Sequence, residues 1–258
     1  MLAAWEQEKA NEIAKKLRKN WNIAEIIKID NELTALEILI NFFENKGIAV
    51  FQLSLTQDNI RGFSLIDEEM PVIVIKRGGE QATSKNFTLF HELGHIILNN
   101  AGICDITLSQ KSQDIEKWCN AFAAEMLVPN DNLLQNPIVQ EYIRRNEKNW
   151  KQKDLADIGK NYHVGPLVIL RRLLENNLTT SSFYRDKHIK WNKTSFGFNK
   201  DPKGRNIAKE TVDEKGKHYV SLAFKAFDNN KIDLKDLSDF LGVKMEYLTK
   251  TRQIANVK

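Results

Sequence analysis

Hydrophobic side chains recur at two different spacings in the first part of the chain, and each spacing predicts one kind of element. Apolar residues at helical spacing over residues 5–19 and 31–46 predict two amphipathic helices. Residues 50–55 alternate in polarity, and residues 63–66 and 71–76 are short runs rich in β-forming side chains, so these stretches predict three strands. The pattern therefore predicts two helices followed by a small sheet.

Residues 87–98 predict a third helix that is apolar on almost every side. On a helical wheel its polar residues, among them His91, Glu92 and His95, fall within a sector of about 100°. The remaining positions are almost all Leu, Ile or Phe. Polar groups on a buried helix need partners, and a metal ion would provide one for this narrow stripe.

The motif His91-Glu92-x-x-His95 has the spacing of a zinc-dependent hydrolase. Residues i and i+4 of a helix lie on one face, so His91 and His95 can bind one metal ion together. Glu92 lies about 100° further round the helix, where it can act as a general base on water. The alternative is a core helix with two chance histidines, which the total of only five His in the chain disfavours.

A further helical pattern over residues 112–129 offers a third ligand. Glu116 and Asn120 are polar residues on its apolar face. A catalytic zinc site takes three protein ligands and leaves the fourth position open, so we expect Glu116 to complete the set. Asn120 is the expected hydrogen-bond partner of a ligating histidine. Glu125 falls on the opposite side and is expected to be a solvated charge, although it is the alternative third ligand.

Together these motifs resemble the ImmA/IrrE family of bacterial and phage metallo-endopeptidases. The similarity rests on Phe87-Thr-Leu-Phe-His-Glu-Leu-Gly-His95 and on Glu116-x-x-x-Asn-x-Phe-Ala-Ala-x-x-Leu-x-Pro129. It is strong over residues 45–130 and looser after them. The resemblance implies a gluzincin-like site in which two His and one Glu hold Zn²⁺ and the Glu of the first motif is the general base.

The resemblance also implies a partner and a way of binding it. Members of the family typically cleave a helix-turn-helix repressor or antitoxin of the Xre type, which derepresses a mobile-element, toxin-antitoxin or stress-response operon. In gluzincin-like folds an edge strand beside the metal helix holds the substrate peptide. Residues 72–76 are the candidate strand, and the alternative is that they only form the core of the sheet. Neither the N-terminal Xre-type domain of many relatives nor the GAF-like domain of the radiation-response branch is expected here.

The C-terminal half contains two segments that are similar to helix-turn-helix units. Residues 155–173 predict a helix, a turn near His163 and a second helix that carries Arg171 and Arg172. In the family such a unit follows the protease, where it either docks the repressor or DNA or only buttresses the protease. Residues 231–244 predict a second, smaller pair of this kind.

Three units are expected along the chain. Residues 1–135 are the predicted metallopeptidase domain, residues 136–185 the helix-turn-helix-like unit and residues 186–258 a C-terminal helical region. Within the last unit, residues 191–217 are polar and rich in turn formers and are expected to be irregular. The predicted fold class is α+β: a mostly helical, zincin-like protease domain with a small sheet, followed by a helix-turn-helix-like region.

Charge is distributed unevenly along the chain. Residues 1–135 carry 13 Lys and Arg against 19 Asp and Glu, a balance of −6, whereas residues 136–258 carry 25 against 15, a balance of +10. A basic half can attract nucleic acid or an acidic partner, or it can be an ordinary solvated surface. The sequence thus leaves a nucleic-acid contact through the C-terminal half open.

Hydropathy and cysteine content bear on the compartment. No apolar run approaches the roughly 20 residues of a membrane span, and no basic start followed by an apolar core marks a signal peptide. The only cysteines are Cys104 and Cys119, too few for a disulfide scaffold, and Cys119 sits in an apolar context typical of core packing. We therefore expect a cytoplasmic protein with no membrane contact.

Two functions fit these residues. The first is a zinc endopeptidase that acts on a transcriptional repressor. The second is a non-catalytic, zinc-containing regulatory module that binds a repressor or nucleic acid. Glu92 favours the first, because a purely structural zinc site does not need a general base between its two histidines. The oxyanion-stabilising residue stays open among Tyr142, Tyr162, His163 and His188.

Overall fold

A computed structural model describes residues 4–27, 32–55, 60–98, 110–192 and 206–256. Its strands are β1 (Ala49–Leu53), β2 (Gly62–Leu65) and β3 (Val72–Lys76). The helices described before the sheet are α1 (Ala4–Asn20), α2 (Ile23–Ile27) and α3 (Glu32–Asn45). Those after it are α4 (Ala82–Ile97), α5 (Gln110–Leu127), α6 (Asn130–Gln135), α7 (Pro137–Arg144), α8 (Gln152–Lys160), α9 (Pro166–Glu175), α10 (Ser181–Asn192), α11 (Ile207–Lys215), α12 (Lys217–Asp228), α13 (Leu234–Leu241) and α14 (Met245–Ile254). The predicted α+β class, mostly helical with a small sheet, is confirmed.

The sheet has the strand order β1-β3-β2, with β1 parallel and β2 antiparallel to β3. Residues 72–76 are therefore not the edge strand beside the metal helix, and the alternative role, the core of the sheet, is the observed one. Ile73, Val74 and Ile75 are all buried, because β3 lies between two strands and is covered on both faces. A continuous apolar run is typical of such a central strand. The edge strand that packs on α4 is β2.

A first hydrophobic core holds the sheet and the helices around it. In this core α4 packs against α3, α5 and two strands of the sheet, while α1 packs along α5. The rings of Phe43 on α3 and Phe90 on α4 meet edge to face, with centroids 5.4 Å apart. Because α4 is enclosed on most sides, most of its residues after Gln81 are buried, polar ones included.

The helix pair α8–α9 belongs to the same first core. Ile158 of α8 and Ile169, Leu170 and Leu173 of α9 are fully buried in it. Arg172 is also buried, with 1% of its surface exposed, so this side chain lies inside the core and not on the surface of the pair. The sequence shows its charge but not the carboxylates that neutralise it inside the core.

A second core is formed by α11, α12, α13 and α14. The expectation that residues 191–217 are irregular is wrong for Ile207–Lys215, which form α11. Asn206 caps this helix by accepting a hydrogen bond from the Lys209 N–H. Helix α11 has a short apolar face, and its many charged residues made that face hard to recognise in the sequence. Residues 193–205 lie outside the described residues, as does Cys104.

Contacts between the second core and the sheet cover β1. The rings of Phe51 on β1 and Tyr219 on α12 lie 5.2 Å apart, and Gln52 Nε2 donates to the Asp213 carbonyl oxygen at 2.9 Å. The outer edge of β1 is thus occupied by the C-terminal helices. The domain boundaries at residues 135 and 185 stay a prediction. None of the described helices is both long enough and apolar enough to cross a membrane.

Candidate metal centre

The metal motif lies on α4, where both histidines face the same side. His91 and His95 are 8% and 1% exposed, and their Nε2 atoms are 3.2 Å apart. This proximity follows from the i, i+4 spacing on one helical face. Two imidazole nitrogens held this close in a buried position can act as two adjacent ligands of one cation.

Glu116 of α5 reaches both histidines. Its Oε2 atom is 3.2 Å from His91 Nε2, and its Oε1 atom is 3.2 Å from His95 Nε2. Bonds of about 2.0–2.1 Å from zinc to tetrahedral ligands place neighbouring ligand atoms roughly 3.3 Å apart. The three side chains therefore converge closely enough to bind one metal ion, with one candidate ligand atom from each within 4.8 Å of the others. Among the described residues, His91, His95 and Glu116 form the cluster of potential ligand side chains that could hold a metal ion.

The charge state of Glu116 suits a ligand. Burial raises the pKa of its carboxyl group, but hydrogen bonds from His91 and His95 and their charges outweigh burial and hold that pKa well below its usual range. The side chain is consequently a carboxylate at any pH at which the protein would work. A carboxylate with two imidazoles is a ligand set that zinc accepts.

The close approach of α4 and α5 depends on Gly94. A Cβ atom at this position would lie 3.1 Å from the Sγ atom of Cys119 and 3.2 Å from its Cα atom. The glycine thus lets α5 come near enough for Glu116 to reach the histidines. Cys119 is fully buried, as predicted, and burial raises the pKa of its thiol. It is therefore a packing residue rather than a thiolate ligand.

Glu92 is the candidate general base, and it lies beside the ligands in a dry environment. The side chain is 1% exposed. Burial raises its pKa, whereas the charges of His91 and His95 and the nearby hydroxyl group of Ser64 lower it. A carboxylate whose pKa lies above its usual range is better matched to taking up a proton near neutral pH.

Two residues of β2 to which sequence analysis gave no role complete the surroundings of Glu92. Ser64 faces Glu92, and Gly62 lies even closer to α4. A Cβ atom at Gly62 would be 2.6 Å from Thr88 Cγ2, 2.8 Å from the Val74 carbonyl oxygen and 3.4 Å from Glu92 Oε1. A glycine within a strand pattern is a signal of such close approach and could have indicated this contact.

Asn120 and Glu125 occupy different positions on α5. Asn120 is half-buried one turn after Glu116, and its hydrogen bond to a ligating histidine stays a prediction. Glu125 is fully buried and binds Arg172 Nη2 through Oε2, so the expectation of a solvated charge is wrong. Its side of α5 does point away from Glu116, but α1 and α9 cover that side.

The proposed oxyanion donors differ in how they are held. The Tyr142 hydroxyl donates to Asp154 Oδ2 at 2.7 Å and accepts a hydrogen bond from the Lys151 N–H, so it is already engaged. Burial and the positive charges of Arg61 and Arg171 lower the pKa of His188. His188 therefore lies near Arg61, the residue before Gly62 of β2, and the role of oxyanion donor stays a prediction.

Comparison with known proteins identifies one related family. The sequence model of the family described as Peptidase_M78, IrrE N-terminal-like domain, matches residues 43–174. This match covers half of the chain and includes the sheet, the metal helix, α5 and the pair α8–α9, whereas the second core lies beyond it. No curated protein matches the chain.

Proposed function

The chain belongs to the ImmA/IrrE family of metallopeptidases, and from that premise we propose that it is a zinc-dependent endopeptidase that cleaves an Xre-type helix-turn-helix repressor. The observation that supports this most is the convergence of His91, His95 and Glu116, with separations of 3.2 Å, beside the buried Glu92. Three ligands and one adjacent carboxylate are the components of a hydrolytic zinc site.

The three ligands would hold the zinc ion, and Glu92 would move the proton. When bound, zinc supplies Lewis-acid chemistry, which polarises a scissile carbonyl and lowers the pKa of water toward ~7. Glu92 accepts the proton of the attacking water and passes it to the leaving amine. Ser64 of β2 lies close to the Glu92 carboxylate.

The substrate would bind along β2. The Lys76 N–H donates to the Arg61 carbonyl oxygen at 2.8 Å, which makes these two residues a hydrogen-bonded antiparallel pair. Because such pairs alternate, the backbone groups of Gly62 and Ser64 point away from β3. An extended peptide can pair with these groups, and this edge adjoins Glu92, whereas the edge of β1 is covered by α11.

A repressor of the Xre type is the substrate class that the family membership supports. Cleavage of such a protein would derepress a mobile-element, toxin-antitoxin or stress-response operon. A transcriptional repressor is a DNA-bound protein of the cytoplasm, so the enzyme would act there. A chain with only two cysteines, too few for a disulfide scaffold, and with no predicted membrane contact is compatible with that compartment.

Replacement of Glu92 by Gln tests the proposal. Glutamine keeps the shape of the side chain but cannot act as a base, so cleavage should fall at least ~100-fold while the bound metal is retained. The wild-type protein and the variant are incubated with an Xre-type repressor, chosen first from any that is encoded by a neighbouring gene, and the products are identified by mass spectrometry. Glu68→Gln, at an exposed carboxylate of the same type, is the matched control and should cleave normally.

The outcomes separate the two functions that the sequence left open. Cleavage at one site by the wild-type protein, abolished by Glu92→Gln and by a chelator, supports the peptidase. Equal cleavage by both proteins would mean another base or a contaminating protease. Repressor binding without cleavage, also in the presence of zinc and single-stranded DNA as a possible activator, would leave the non-catalytic regulatory module as the better description.

A further inference from the structure

The last two helices form a helix-turn-helix pair that the peptidase chemistry does not use. A capping box starts α13, in which Asp233 and Asp236 each accept a hydrogen bond from the other's backbone N–H. The helix ends at Gly242, whose φ of 65° is left-handed. Ser238 Oγ then donates to the Val243 carbonyl oxygen at 2.5 Å and ties the turn to α13. Three residues therefore link the two helices in a defined geometry.

Buried residues fix the two helices of the pair in the second core. They are Leu237 and Leu241 on α13, Val243 in the turn, and Leu248 and Thr251 on α14. Their spacing leaves one side of each helix free of core contacts. The inner side of the pair packs on α11 and α12, so α14 is anchored through the face opposite its exposed side.

The outer side of α14 is exposed and polar. It presents residues near the start of the helix and one and two turns later, namely Met245, Glu246, Thr249, Lys250 and Gln253. In helix-turn-helix proteins the second helix enters the major groove and its first turns contact base edges. Lysine can donate to guanine, glutamine can pair with adenine, and an apolar side chain can contact the thymine methyl group.

Five exposed lysines lie on the pair or on the elements next to it in the chain. They are Lys225 on α12, Lys231 and Lys235 around the start of α13, Lys244 in the turn and Lys250 on α14. Within the described ranges none of the five forms a salt bridge, whereas Arg252 is paired with Asp228. Glu246 is the acidic residue of α14, and residues 217–254 carry 7 Lys and Arg against 5 Asp and Glu. Unpaired lysines beside a helix are the groups that contact phosphates.

The earlier pair α8–α9 has no comparable surface. Every residue of α9 is buried or half-buried, and Arg171 and Arg172 both bind Glu175. We therefore propose that α13–α14 is a binding site for double-stranded DNA, with α14 in the major groove. The site lies outside the residues matched by the family, and it does not depend on the peptidase activity.

Binding of the full-length protein to DNA tests this site. The probe is a fluorescent duplex of about 30 base pairs with a randomised centre, measured by anisotropy from 50 to 200 mM salt, a range over which phosphate contacts weaken steeply. Lys250→Glu should weaken binding about tenfold or more at low salt. The matched control is Lys153→Glu, which reverses an exposed lysine on α8 and should change the affinity less than ~2-fold.

A second variant examines base contacts. Selection from random duplexes should enrich a sequence for the wild-type protein, and Gln253→Ala should lose about tenfold in affinity for that sequence but little for unselected DNA. Both substitutions are at exposed positions, and circular dichroism confirms folding. No binding to the duplex at 50 mM salt, equal losses in Lys250→Glu and Lys153→Glu, or equal affinity for the single strand would overturn the proposal. Loss of repressor binding alone would identify α14 as a protein-binding surface instead.

Discussion

The two helix-turn-helix pairs of this chain, α8–α9 and α13–α14, have the same local design and opposite surroundings. Each turn contains a residue with positive φ, His163 at 50° and Gly242 at 65°. The second helix of the first pair is enclosed by the first core, whereas the second helix of the other pair exposes its outer side. The motif alone thus does not distinguish a buttress from a binding helix; the exposure of the second helix does.

The buried helix α9 supports the metal centre through α5. Arg172 Nε donates to the Val128 carbonyl oxygen at 3.1 Å, while its two other nitrogens bind Glu125 and Glu175. From α1, Arg18 donates to the Met126 carbonyl oxygen. Two guanidinium groups therefore satisfy the carbonyls at the C-terminal end of α5, the helix that presents Glu116.

The largest loss of stability that we expect comes from Arg172→Ala. This substitution removes the side chain that joins α9 to Glu125 and to the Val128 carbonyl oxygen. Burying Glu125 without its partner should cost about 3–5 kcal/mol of unfolding free energy. Urea unfolding measures this cost, and Lys250→Ala in α14 should stay within about 0.5 kcal/mol of the wild-type protein. A loss below about 1 kcal/mol for Arg172→Ala would mean that α9 is not a buttress.

Metal binding should stabilise the first core, which holds the three ligands, without affecting DNA binding by the second core. At a free zinc concentration of about 100 times the Kd, binding adds about 2.7 kcal/mol to the stability of the unit that holds the ligands. Calorimetry with and without a chelator should show this for wild-type protein, while duplex binding through α14 is unchanged. His91→Ala and Glu116→Ala should lose both the metal and the gain, whereas Glu68→Ala should keep them. Full zinc occupancy in Glu116→Ala would remove Glu116 from the ligand set.

The arrangement of His91, Glu92 and His95 was predictable because these residues lie on one helix, where spacing alone sets the geometry. Glu116 was predictable from its polarity on an apolar face, and the structure brings it to both histidines. Ser64 reaches Glu92 only through the pairing of β2 with β3, which the sequence does not encode locally. The burial of Glu125 and Arg172 depends on a contact between residues 47 positions apart, so each charge taken alone indicated exposure.

Gly216 lies at the joint between the two cores, where the start of α12 contacts Glu44 of α3. Replacing it by alanine should cost more stability than the same change at Gly242, which lies in an ordinary turn. Gly216 has a φ of 80°, and a Cβ atom there would lie 1.9 Å from Glu44 Oε1 and 3.0 Å from the Val50 carbonyl oxygen. We expect Gly216→Ala to cost about 2–3 kcal/mol, because backbone strain and a clash add. Gly242→Ala, with no atom within 4 Å of the added Cβ, should cost about 1 kcal/mol. Thermal unfolding compares the two, and equal losses would show that contact with Glu44 does not matter.

Glu44 itself gives the smallest effect and one that depends on pH. Its carboxyl group is 5% exposed at the joint, where Oε2 accepts a weak hydrogen bond of 3.4 Å from the His218 N–H of α12. Burial raises its pKa to about 7, against the opposing effects of that hydrogen bond and of the positive charge of Lys217. The folded protein therefore holds this proton over a range of pH in which the unfolded chain, with an ordinary glutamate pKa of about 4.3, has released it.

The sign of the pH dependence follows from that difference. Between about pH 4.3 and pH 7 the folded state binds more protons than the unfolded state, so stability falls as the pH rises. Each unit of difference between the folded-state and unfolded-state pKa corresponds to at most about 1.4 kcal/mol of unfolding free energy. Glu44→Gln removes the titrating group and should be more stable than the wild-type protein above pH 7, with the difference vanishing near pH 4. Glu37→Gln, at an exposed position of the same helix, is the control and should show no such trend. A variant Glu44→Gln that is less stable at pH 8 would instead show that the start of α12 stabilises a charged Glu44, as helix N-termini can, and that the joint between the cores is an ionic contact.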